Sequence, residues 1–261
     1  MIVEKRTPTP VATSKPKVKD KPKSKPKITV QSSIAKQVTV VIVNFKTKRL
    51  LACAYKSFRK FYPTVRMIFV DSGSMDESRE LVKEIGGRAY NSFILFSTNV
   101  GHGPAMHQAI QEVDTPFVLT LDTDTETFKK GFLEKMVRQM KANDNLYALG
   151  WKRWVDRLSG VPLVWFTEKQ PSERFVAYIH PSAGLYRMSM YRTLNGFVHH
   201  GAPCLHNMND AVKRGFELQA FPISDYVKHL KAGTRRMYGG RWDPTNKTPR
   251  KKWKARDSYP I

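Results

Sequence analysis

Hydrophobic residues follow two alternating patterns in the first half of the chain. Short continuous apolar runs, typical of strands covered on both faces, alternate with segments in which apolar residues recur at helical spacing. Strands are predicted in "VTVVIVNF" (38–45), "VRMIFVD" (65–71), "SFILFS" (92–97) and "PFVLTLD" (116–122). Helices are predicted over residues 47–60, 74–85, 102–113 and after Phe128. This alternation predicts an α/β fold with a mostly parallel, doubly wound sheet and flanking helices.

The second half of the chain is less regular. Short apolar runs predict strands near residues 147–155, 161–166 and 174–180, and the helical spacing is visible only near 188–195 and 205–215. In the first half, "SMDE" (74–77) has the form of a capping box, so Ser74 is predicted to cap the helix that follows it.

Positive charge is concentrated at the two ends of this 261-residue chain, whose formal net charge is +23. Residues 1–37 hold ten Lys and Arg against two acidic residues, and residues 228–261 hold eleven against two. Because the Lys/Pro-rich N-terminal segment has few apolar side chains to bury, residues 1–36 are predicted to be a disordered basic arm. Residues 235–261 are predicted to be a basic, aromatic C-terminal extension, which leaves 37–234 as the folded domain.

Composition excludes several classes of protein. With 41% hydrophobic residues the chain can fill a core, so it is not wholly disordered. No apolar run is long enough to span a bilayer. The two cysteines, Cys53 and Cys204, have neither the spacing of a metal site nor that of a disulfide framework. We therefore expect a reducing, cytoplasmic location.

Acidic residues stand at the ends of two predicted strands. Asp71 ends the second strand, and Asp122 and Asp124 follow the fourth. In doubly wound sheets ligands bind beyond the carboxyl ends of the strands, so the three acids point to one crevice. Asp122 and Asp124 can approach one hard cation, such as Mg²⁺ or Mn²⁺, which commonly bridges to phosphates. From the residues alone, the alternative is that these two acids cap the following helix.

Six segments of the chain match, in the correct order, the characteristic segments of one enzyme family. They are "VVIVNFK" (40–46), "VDSGSMDES" (70–78), "NVGHGPAMHQAI" (99–110), "LTLDTDT" (119–125), "GLYRMSMYRTLNGF" (184–197) and "YVKHLKAGT" (226–234). In these segments, which span roughly residues 38–234, the chain resembles the GT-A-fold, family 2-like glycosyltransferases. The resemblance implies a GT-A (Rossmann-like) fold with a nucleotide-sugar half at 37–145 and an acceptor half at 146–234.

The resemblance also implies roles for the matching residues. The implied contacts of the nucleotide-sugar are Asn44, Phe45, Asp71, Gly101, Gly103 and Asp122. The implied metal ligands are Asp122, Asp124 and His229. The implied cofactors are Mn²⁺ or Mg²⁺ and a nucleotide-sugar donor, with a UDP-sugar as the favoured choice. Structural alternatives are turn formation for Asp71, helix entry for the glycines and simple packing for His229.

The catalytic base is expected in "LHNMNDAVKRGFEL". An inverting transferase needs a carboxylate that deprotonates the acceptor hydroxyl. Asp210 is the only acidic residue between residues 174 and 216 and is therefore the predicted base. The glutamate of the family's usual acidic pair is missing, and the alternative for Asp210 is a polar position on a helix face. His199, His200 and His206 lie in the same region and could take the role.

The basic ends bear on the identity of the acceptor. Cations can neutralise phosphates while aromatic rings stack on bases. The predicted nucleic-acid-binding residues are Arg235, Arg236, Arg241, Trp242, Lys251, Lys252 and Trp253. Ordinary DNA bases offer no hydroxyl, so the predicted acceptor is a hydroxymethylated pyrimidine, and the chain in this respect resembles phage-type DNA-modifying glycosyltransferases.

Two other functions stay open from the sequence. One is transfer to lipid-linked or cell-wall glycans at an anionic membrane surface. The other is a non-catalytic nucleic-acid-binding protein on a transferase fold. Processive synthesis is not expected, because the family's processive synthases carry membrane helices and a Q-x-x-R-W segment, and the nearest string here is "YGGRW".

Overall fold

A computed structural model of the chain describes residues 3–6, 30–158, 172–198 and 202–230. Its helices are α1 (Val30–Ala35), α2 (Lys48–Phe61), α3 (Glu77–Gly86), α4 (His102–Gln111), α5 (Phe132–Ala142), α6 (Met188–Tyr191) and α7 (Leu205–Lys213). Its strands are β1 (Val3–Arg6), β2 (Val38–Asn44), β3 (Arg66–Asp71), β4 (Asn91–Phe96), β5 (Phe117–Leu121), β6 (Thr125–Thr127), β7 (Leu146–Gly150), β8 (Lys152–Asp156), β9 (Phe175–Ile179), β10 (Ala183–Arg187), β11 (Glu217–Ala220) and β12 (Val227–His229). A 3₁₀ turn covers Ile223–Asp225.

Eight of these strands form one sheet in the order β1-β4-β3-β2-β5-β10-β7-β11. The four strands β4, β3, β2 and β5 are parallel to one another. Strand β10 runs antiparallel between β5 and β7, and β11 pairs in parallel with β7 at one edge. The predicted GT-A-like architecture, a mostly parallel sheet with flanking helices, is confirmed. Two small sheets, β6 with β12 and β8 with β9, lie outside the large one.

Strand β2 shows why the apolar runs are continuous. Val38, Val40 and Ile42 face a core that includes side chains of α2, α3 and α5. Val41 lies between them in sequence and faces a second core that includes side chains of α4, α7 and β9. Since successive side chains of a strand point to opposite faces, cover on both faces favours apolar residues throughout, and Thr39 and Asn44 are the only polar residues of β2.

The second half differs in detail from the sequence prediction. The predicted strand 147–155 is broken at Trp151 into β7, which stays in the large sheet, and β8, which leaves it to pair with β9. Strand β10 was not predicted, because "AGLYR" is short and half of its apolar positions are small residues. Helices α6 and α7 are shorter than predicted. The predicted strand 161–166 lies outside the described residues.

The N-terminal region also differs from the prediction of a disordered arm over residues 1–36. Residues 3–6 form β1, whose backbone pairs antiparallel with β4 at the edge of the sheet, and residues 30–35 form α1. An edge strand can be recruited through its main chain alone, without the apolar pattern that a central strand needs. Residues 7–29 and the predicted extension 235–261 lie outside the described residues, so the predicted domain boundaries stay predictions.

The start of α3 corrects the predicted capping box. The residue that caps the helix is Asp76, whose carboxylate accepts a hydrogen bond from the Ser78 N–H. The Ser74 hydroxyl instead accepts the N–H of Lys46, at 2.9 Å, and so joins the loop after β3 to the loop after β2. Ser74 therefore stabilises the loops at the carboxyl edge of the sheet and does not cap α3.

Gly73 is required where the loops after β3 and β4 meet. Its φ angle is +73°, a value that side chains rarely adopt, and an added Cβ would overlap the backbone of Thr98. Gly215, which ends α7, has a similar φ of +78°, but an added Cβ there would have no neighbour within 4 Å. A comparison of alanine substitutions at the two glycines therefore distinguishes the free-energy cost of the backbone angle from that of the close contact with Thr98.

Gly73→Ala should lower the free energy of unfolding by more than the roughly 1–2 kcal/mol that a left-handed backbone angle costs a side chain. Gly215→Ala is the matched control and should lose only about that amount, since it has the angle without the contact. Urea unfolding of both variants measures the difference. Equal losses would show that the Thr98 loop moves aside without cost.

Candidate active site

The two acids that follow β5 stand on a turn held by backbone hydrogen bonds. The Asp122 N–H donates to the Ser182 carbonyl at 3.1 Å, which ties the turn to the start of β10. The Thr125 hydroxyl donates to the Asp122 carbonyl at 2.7 Å. Asp124 is buried, and Asp122 is only partly exposed. The turn therefore fixes both carboxylates at the carboxyl edge of the parallel strands.

Strand pairing brings His229 to these acids. Strand β12 pairs antiparallel with β6, with His229 opposite Thr125, and the Leu230 N–H donates to the Asp124 carbonyl at 2.7 Å. The His229 Nε2 lies 3.4 Å from the Asp124 Oδ1. Ligand atoms of Asp122, Asp124 and His229 all lie within 4.8 Å of one another. The structure thus groups the three side chains that the sequence predicted as metal ligands, and we call them the acid cluster.

The acid cluster carries negative charge that its surroundings do not balance. Burial, and next the charge of Asp124, raise the pKa of Asp122 to about 7, against an opposing effect of His229. The Asp122 Oδ1 is buried and has no hydrogen-bond partner among the described residues. His102 Nε2 is 3.6 Å from this oxygen, too far for a hydrogen bond, and burial lowers the pKa of His102 to about 4, so the imidazole is neutral at pH 7.

The acid cluster fits a divalent cation. A cation would supply the missing partner of the Asp122 oxygen and offset the repulsion between the two carboxylates. Carboxylate oxygens are the ligands that suit Mg²⁺ and Mn²⁺, and a neutral imidazole can complete such a set. The donor set is therefore of the kind that the sequence predicts for Mn²⁺ or Mg²⁺.

Two aromatic rings, those of His180 and Trp151, pack near His229. The ring of His180 lies 5.9 Å from that of His229, and the ring of Trp151 lies 5.7 Å from that of His180. The Nδ1 of His180 contacts the Ser182 hydroxyl at 2.9 Å. Burial, followed by the charge of Arg153, lowers the pKa of His180 to about 3, so it is neutral at pH 7. These contacts restrict the orientation of the His229 ring.

The sequence prediction missed three of the side chains around the acid cluster: His102, His180 and Trp151. His102 follows the predicted contact Gly101, His180 ends a predicted strand, and Trp151 lies inside a predicted strand that the structure divides in two. The only available signal was a position beside or within a predicted element, which is shared by many residues without a role.

On the other side of the acid cluster, Asn44 and Asp71 end two adjacent parallel strands and lie side by side. Asp71 is 0% exposed. Its Oδ1 accepts a hydrogen bond from Asn44, and its Oδ2 accepts from the Ser74 N–H and the Arg79 guanidinium, each at 2.9 Å. The structure brings the predicted pair together, while both carboxylate oxygens are used within the protein. A direct contact of Asp71 with a base stays a prediction.

The remaining predicted nucleotide contacts lie in neighbouring loops. Gly101, with φ of +88°, precedes α4, and its N–H donates to the Asn99 side chain at 2.9 Å. Gly103 is buried in the first turn of that helix. Phe45 follows β2, with the Lys46 ammonium 5.2 Å from the centre of its ring. His102, the first residue of α4, lies 3.6 Å from Asp122, so the amino end of the helix is beside the acids. A helix start is a favourable position for phosphate.

Comparison with known proteins decides the family. The sequence profile of glycosyl transferase family 2 matches residues 39–193, more than half of the chain. The chain belongs to glycosyl transferase family 2. No curated protein matches the chain.

Solved structures share the family's fold with this chain. A mannosyltransferase from Pyrobaculum calidifontis, in complex with GDP-Man and Mn²⁺, matches with a TM-score of 0.55 and 15% identity over 71% of this chain and 55% of its own. TarS of S. aureus (residues 1–349) matches in complex with UDP, with a TM-score of 0.53 and 16% identity over 73% of this chain and 59% of its own. The same protein with UDP-GlcNAc matches over 76% and 61%. The chain thus spans 55–61% of these relatives, and the likeness at such identities shows the fold.

Asp210, the predicted base, is engaged in another contact. Its carboxylate forms an ion pair with Arg214, one turn along α7, at 2.8 Å, and accepts a hydrogen bond from the Asn195 N–H at 3.1 Å. Partial burial raises its pKa, but the Arg214 hydrogen bonds, the Asn195 N–H and nearby positive charges outweigh this and hold the pKa below its usual value. Asp210 is not among the acids grouped with His229. Its role as base stays a prediction that these contacts do not support.

Other predicted residues lie outside the described part of the chain. These are the nucleic-acid-binding residues Arg235, Arg236, Arg241, Trp242, Lys251, Lys252 and Trp253, together with His199 and His200. His206 lies in the first turn of α7 and is exposed. Among the helices that the structure describes, none is long and apolar enough to cross a bilayer.

Asp210→Asn should lower the melting temperature and leave the turnover number within about threefold. The ion pair with Arg214 is partly exposed and contributes up to about 1 kcal/mol, whereas loss of a true general base costs about 100-fold or more. Arg214→Gln removes the same ion pair without touching the carboxylate and serves as the control. A turnover loss of about 100-fold in Asp210→Asn alone would establish Asp210 as the base.

Proposed function

We propose that the protein is a metal-dependent, inverting, non-processive glycosyltransferase that moves one sugar from a nucleotide-sugar to a hydroxyl group. The observation that carries the proposal is the partly buried acid cluster at the carboxyl edge of the sheet, in a chain that belongs to glycosyl transferase family 2. A nucleic-acid binder without catalysis has no need of two adjacent carboxylates removed largely from solvent, whose mutual repulsion destabilises the fold.

The proposed donor is a nucleoside diphosphate sugar, with a UDP-sugar as the first choice. The relatives bound to GDP-Man and to UDP-GlcNAc support this class of donor, and the mannosyltransferase complex also contains Mn²⁺. Asp122, Asp124 and His229 would hold Mn²⁺ or Mg²⁺. The ion would stabilise the negative charge that develops on the leaving diphosphate.

The proposed orientation of the donor follows from the positions of Asn44, Asp71 and the acid cluster. The nucleoside would lie at the ends of β2 and β3, where Asn44 and Asp71 hold the loops. The diphosphate would lie at the acid cluster, next to the amino end of α4, where the helix dipole favours negative charge. In the transfer, the acceptor oxygen forms a bond to the anomeric carbon as the bond from that carbon to the phosphate oxygen breaks. The hydroxyl proton passes to a general base and the nucleoside diphosphate leaves.

The proposed acceptor is DNA that contains a hydroxymethylated pyrimidine. The net charge of +23 supports a polyanionic partner, because such a charge raises the local concentration of nucleic acid. A hydroxymethyl group supplies the hydroxyl that ordinary bases lack.

The cytoplasm is the proposed location. Cys53 and Cys204 are both free thiols, as is usual in a reducing compartment.

Asp124→Asn should abolish metal-dependent release of nucleotide from the donor. Loss of an outer partner of a metal ligand already costs about 10–100-fold in metal affinity, so the loss of a direct ligand should weaken Mn²⁺ binding by at least about 100-fold. Calorimetry with Mn²⁺ and an assay of released nucleotide measure both effects. Asp144→Asn, which changes an exposed acid after α5, should match the native protein. Native Mn²⁺ affinity in Asp124→Asn would remove Asp124 from the ligand set.

Sugar transfer should occur on hydroxymethylated DNA and not on unmodified DNA of the same sequence. The readouts are the mass of the base and the nucleotide released, in the presence of Mn²⁺ and a panel of sugar nucleotides. About five phosphate contacts would give a slope of about −4 to −5 in a plot of log affinity against log salt. Transfer to a polyprenyl-linked glycan, with a salt slope near zero on DNA, would instead identify the membrane-surface alternative.

A further inference from the structure

An open cavity of about 510 Å³ lies directly beside the acid cluster and includes His229 in its wall. The order of the strands separates this cavity from the ends of β2 and β3, where the nucleoside is proposed to bind. Asn44 and Asp71 end β2 and β3, whereas the cavity is formed at the ends of β10, β7 and β11, with β5 and its two acids between. The volume is within the range of about 300–1,000 Å³ found for pockets that hold small molecules. The cavity is thus placed to receive the group that meets the donor.

The lining of the cavity is mostly apolar and aromatic. Its apolar wall includes Phe128, Trp151, Phe221, Ile223 and Val227. Its polar groups are the side chains of Thr125, Ser182, Ser224, Lys228 and His229. Among these described lining residues there is no carboxylate and no carboxamide. Such a wall offers flat faces for stacking and few partners for hydrogen bonds.

This lining favours a planar heterocycle over a sugar as the occupant. Each hydroxyl of a sugar is both a donor and an acceptor, and a buried hydroxyl without a partner is costly. A heterocycle presents its apolar faces to aromatic side chains and needs hydrogen bonds only along one edge. Enzymes that act on a base in nucleic acid hold the extruded base by such stacking. The serines and Lys228 can serve the polar edge of a ring.

Positive charge lies next to the two aromatic residues that reach solvent. Phe128 is 50% exposed and Trp151 is 37% exposed. Phe128 is followed by Lys129 and Lys130, and Trp151 is followed by Lys152 and Arg153. The guanidinium of Arg153 lies 3.6 Å from the centre of the Trp151 ring and supports that ring. Phosphates on either side of an extruded nucleotide would therefore meet cations while its base meets aromatic rings.

We propose that this cavity binds the acceptor base itself, a hydroxylated nucleobase turned out of a DNA strand, with Trp151 and Phe128 as its stacking residues. The inference rests on the proposed transferase function and adds the site at which the acceptor is recognised. A base held there carries its hydroxymethyl group next to His229, at the end of the acid cluster away from the nucleoside.

Two oligonucleotides that differ in one ring test this proposal. One carries a single 5-hydroxymethylcytosine, and the other carries an abasic residue at the same place in the same sequence. Stacking contributes about 1–3 kcal/mol per base, so the protein should bind the first strand about fivefold or more tightly. Trp151→Ala and Phe128→Ala should remove most of that preference. The Trp151 ring lies 6.4 Å from the His229 ring between centroids, so Trp151→Ala could also act by moving His229. Phe128→Ala is included because it tests stacking at a second residue of the cavity wall.

Trp154→Ala is the matched control. Trp154 is 39% exposed, almost the same as Trp151, and lies three residues further along the chain, but it does not line the cavity. This variant should keep the full preference for the strand with the base. Retention of the preference in both Trp151→Ala and Phe128→Ala would overturn the cavity proposal. A polyprenyl phosphate in detergent that displaces the DNA strand from the native protein, but no longer binds Trp151→Ala and Phe128→Ala, would also overturn the proposal. That result would identify a lipid as the occupant of the cavity.

Binding of UDP with Mn²⁺ separates this proposal from the proposed function. Phe128→Ala and Trp154→Ala should bind UDP–Mn²⁺ with native affinity, because neither residue belongs to the acid cluster or to the rings that pack near His229, and native binding also shows that both variants are folded. If the native protein binds no nucleotide with Mn²⁺ and transfers no sugar, the proposed function fails, and the cavity proposal fails with it. Native nucleotide binding with an unchanged base preference rejects the cavity alone.

Discussion

Repulsion between two adjacent carboxylates, one buried and one partly buried, is the constraint on which the site depends. With ligand atoms of Asp122 and Asp124 within 4.8 Å of each other, two ionised groups would repel by about 3.5 kcal/mol at an effective dielectric constant of 20. A single hydrogen bond contributes a net of about 1 kcal/mol and cannot offset this. Protonation of Asp122 or a bound cation can offset it, and burial and next the charge of Asp124 accordingly raise the pKa of Asp122.

The surrounding elements keep the acids in place despite this repulsion. The antiparallel direction of β10 brings its first residues to the same edge as the end of β5, and the Ser182 carbonyl is thereby available to the Asp122 N–H. The pairing of β12 with β6 supplies His229 in the same way. The two strands that break the parallel pattern on this side are thus the ones that complete the site. The nucleoside side, by contrast, is formed by parallel strands alone.

Much of the fold could be predicted from the sequence because the parallel half is locally encoded. Strands covered on both faces require continuous apolar runs, and β2, β3, β4 and β5 have them. Asp122 and Asp124 were found because an acid at the end of such a run is conspicuous. Strand β1 could not be found in this way, since edge pairing through the main chain leaves no pattern in the side chains. The break at Trp151 is invisible for a similar reason, because both β7 and β8 contain strand-forming residues.

The site residues, too, could be predicted only where the signal is local. His229 was named only through a resemblance, because it is far from the acids in sequence and is brought to them by the pairing of β12 with β6. Asp210 was named by elimination among acids, and elimination does not reveal a partner such as Arg214 that engages the carboxylate one helical turn away. His102, His180 and Trp151 depend on the packing of three different elements, which no single segment of sequence encodes.

The pairing of β1 protects one edge of the large sheet. Without β1, strand β4 would be the edge strand, and its unpaired N–H and C=O groups could pair with a strand of another chain. With β1 in place, the edge strand on this side is only four residues long, Val3–Arg6. A short edge strand offers little main chain for such pairing, so β1 disfavours edge-to-edge association of the protein.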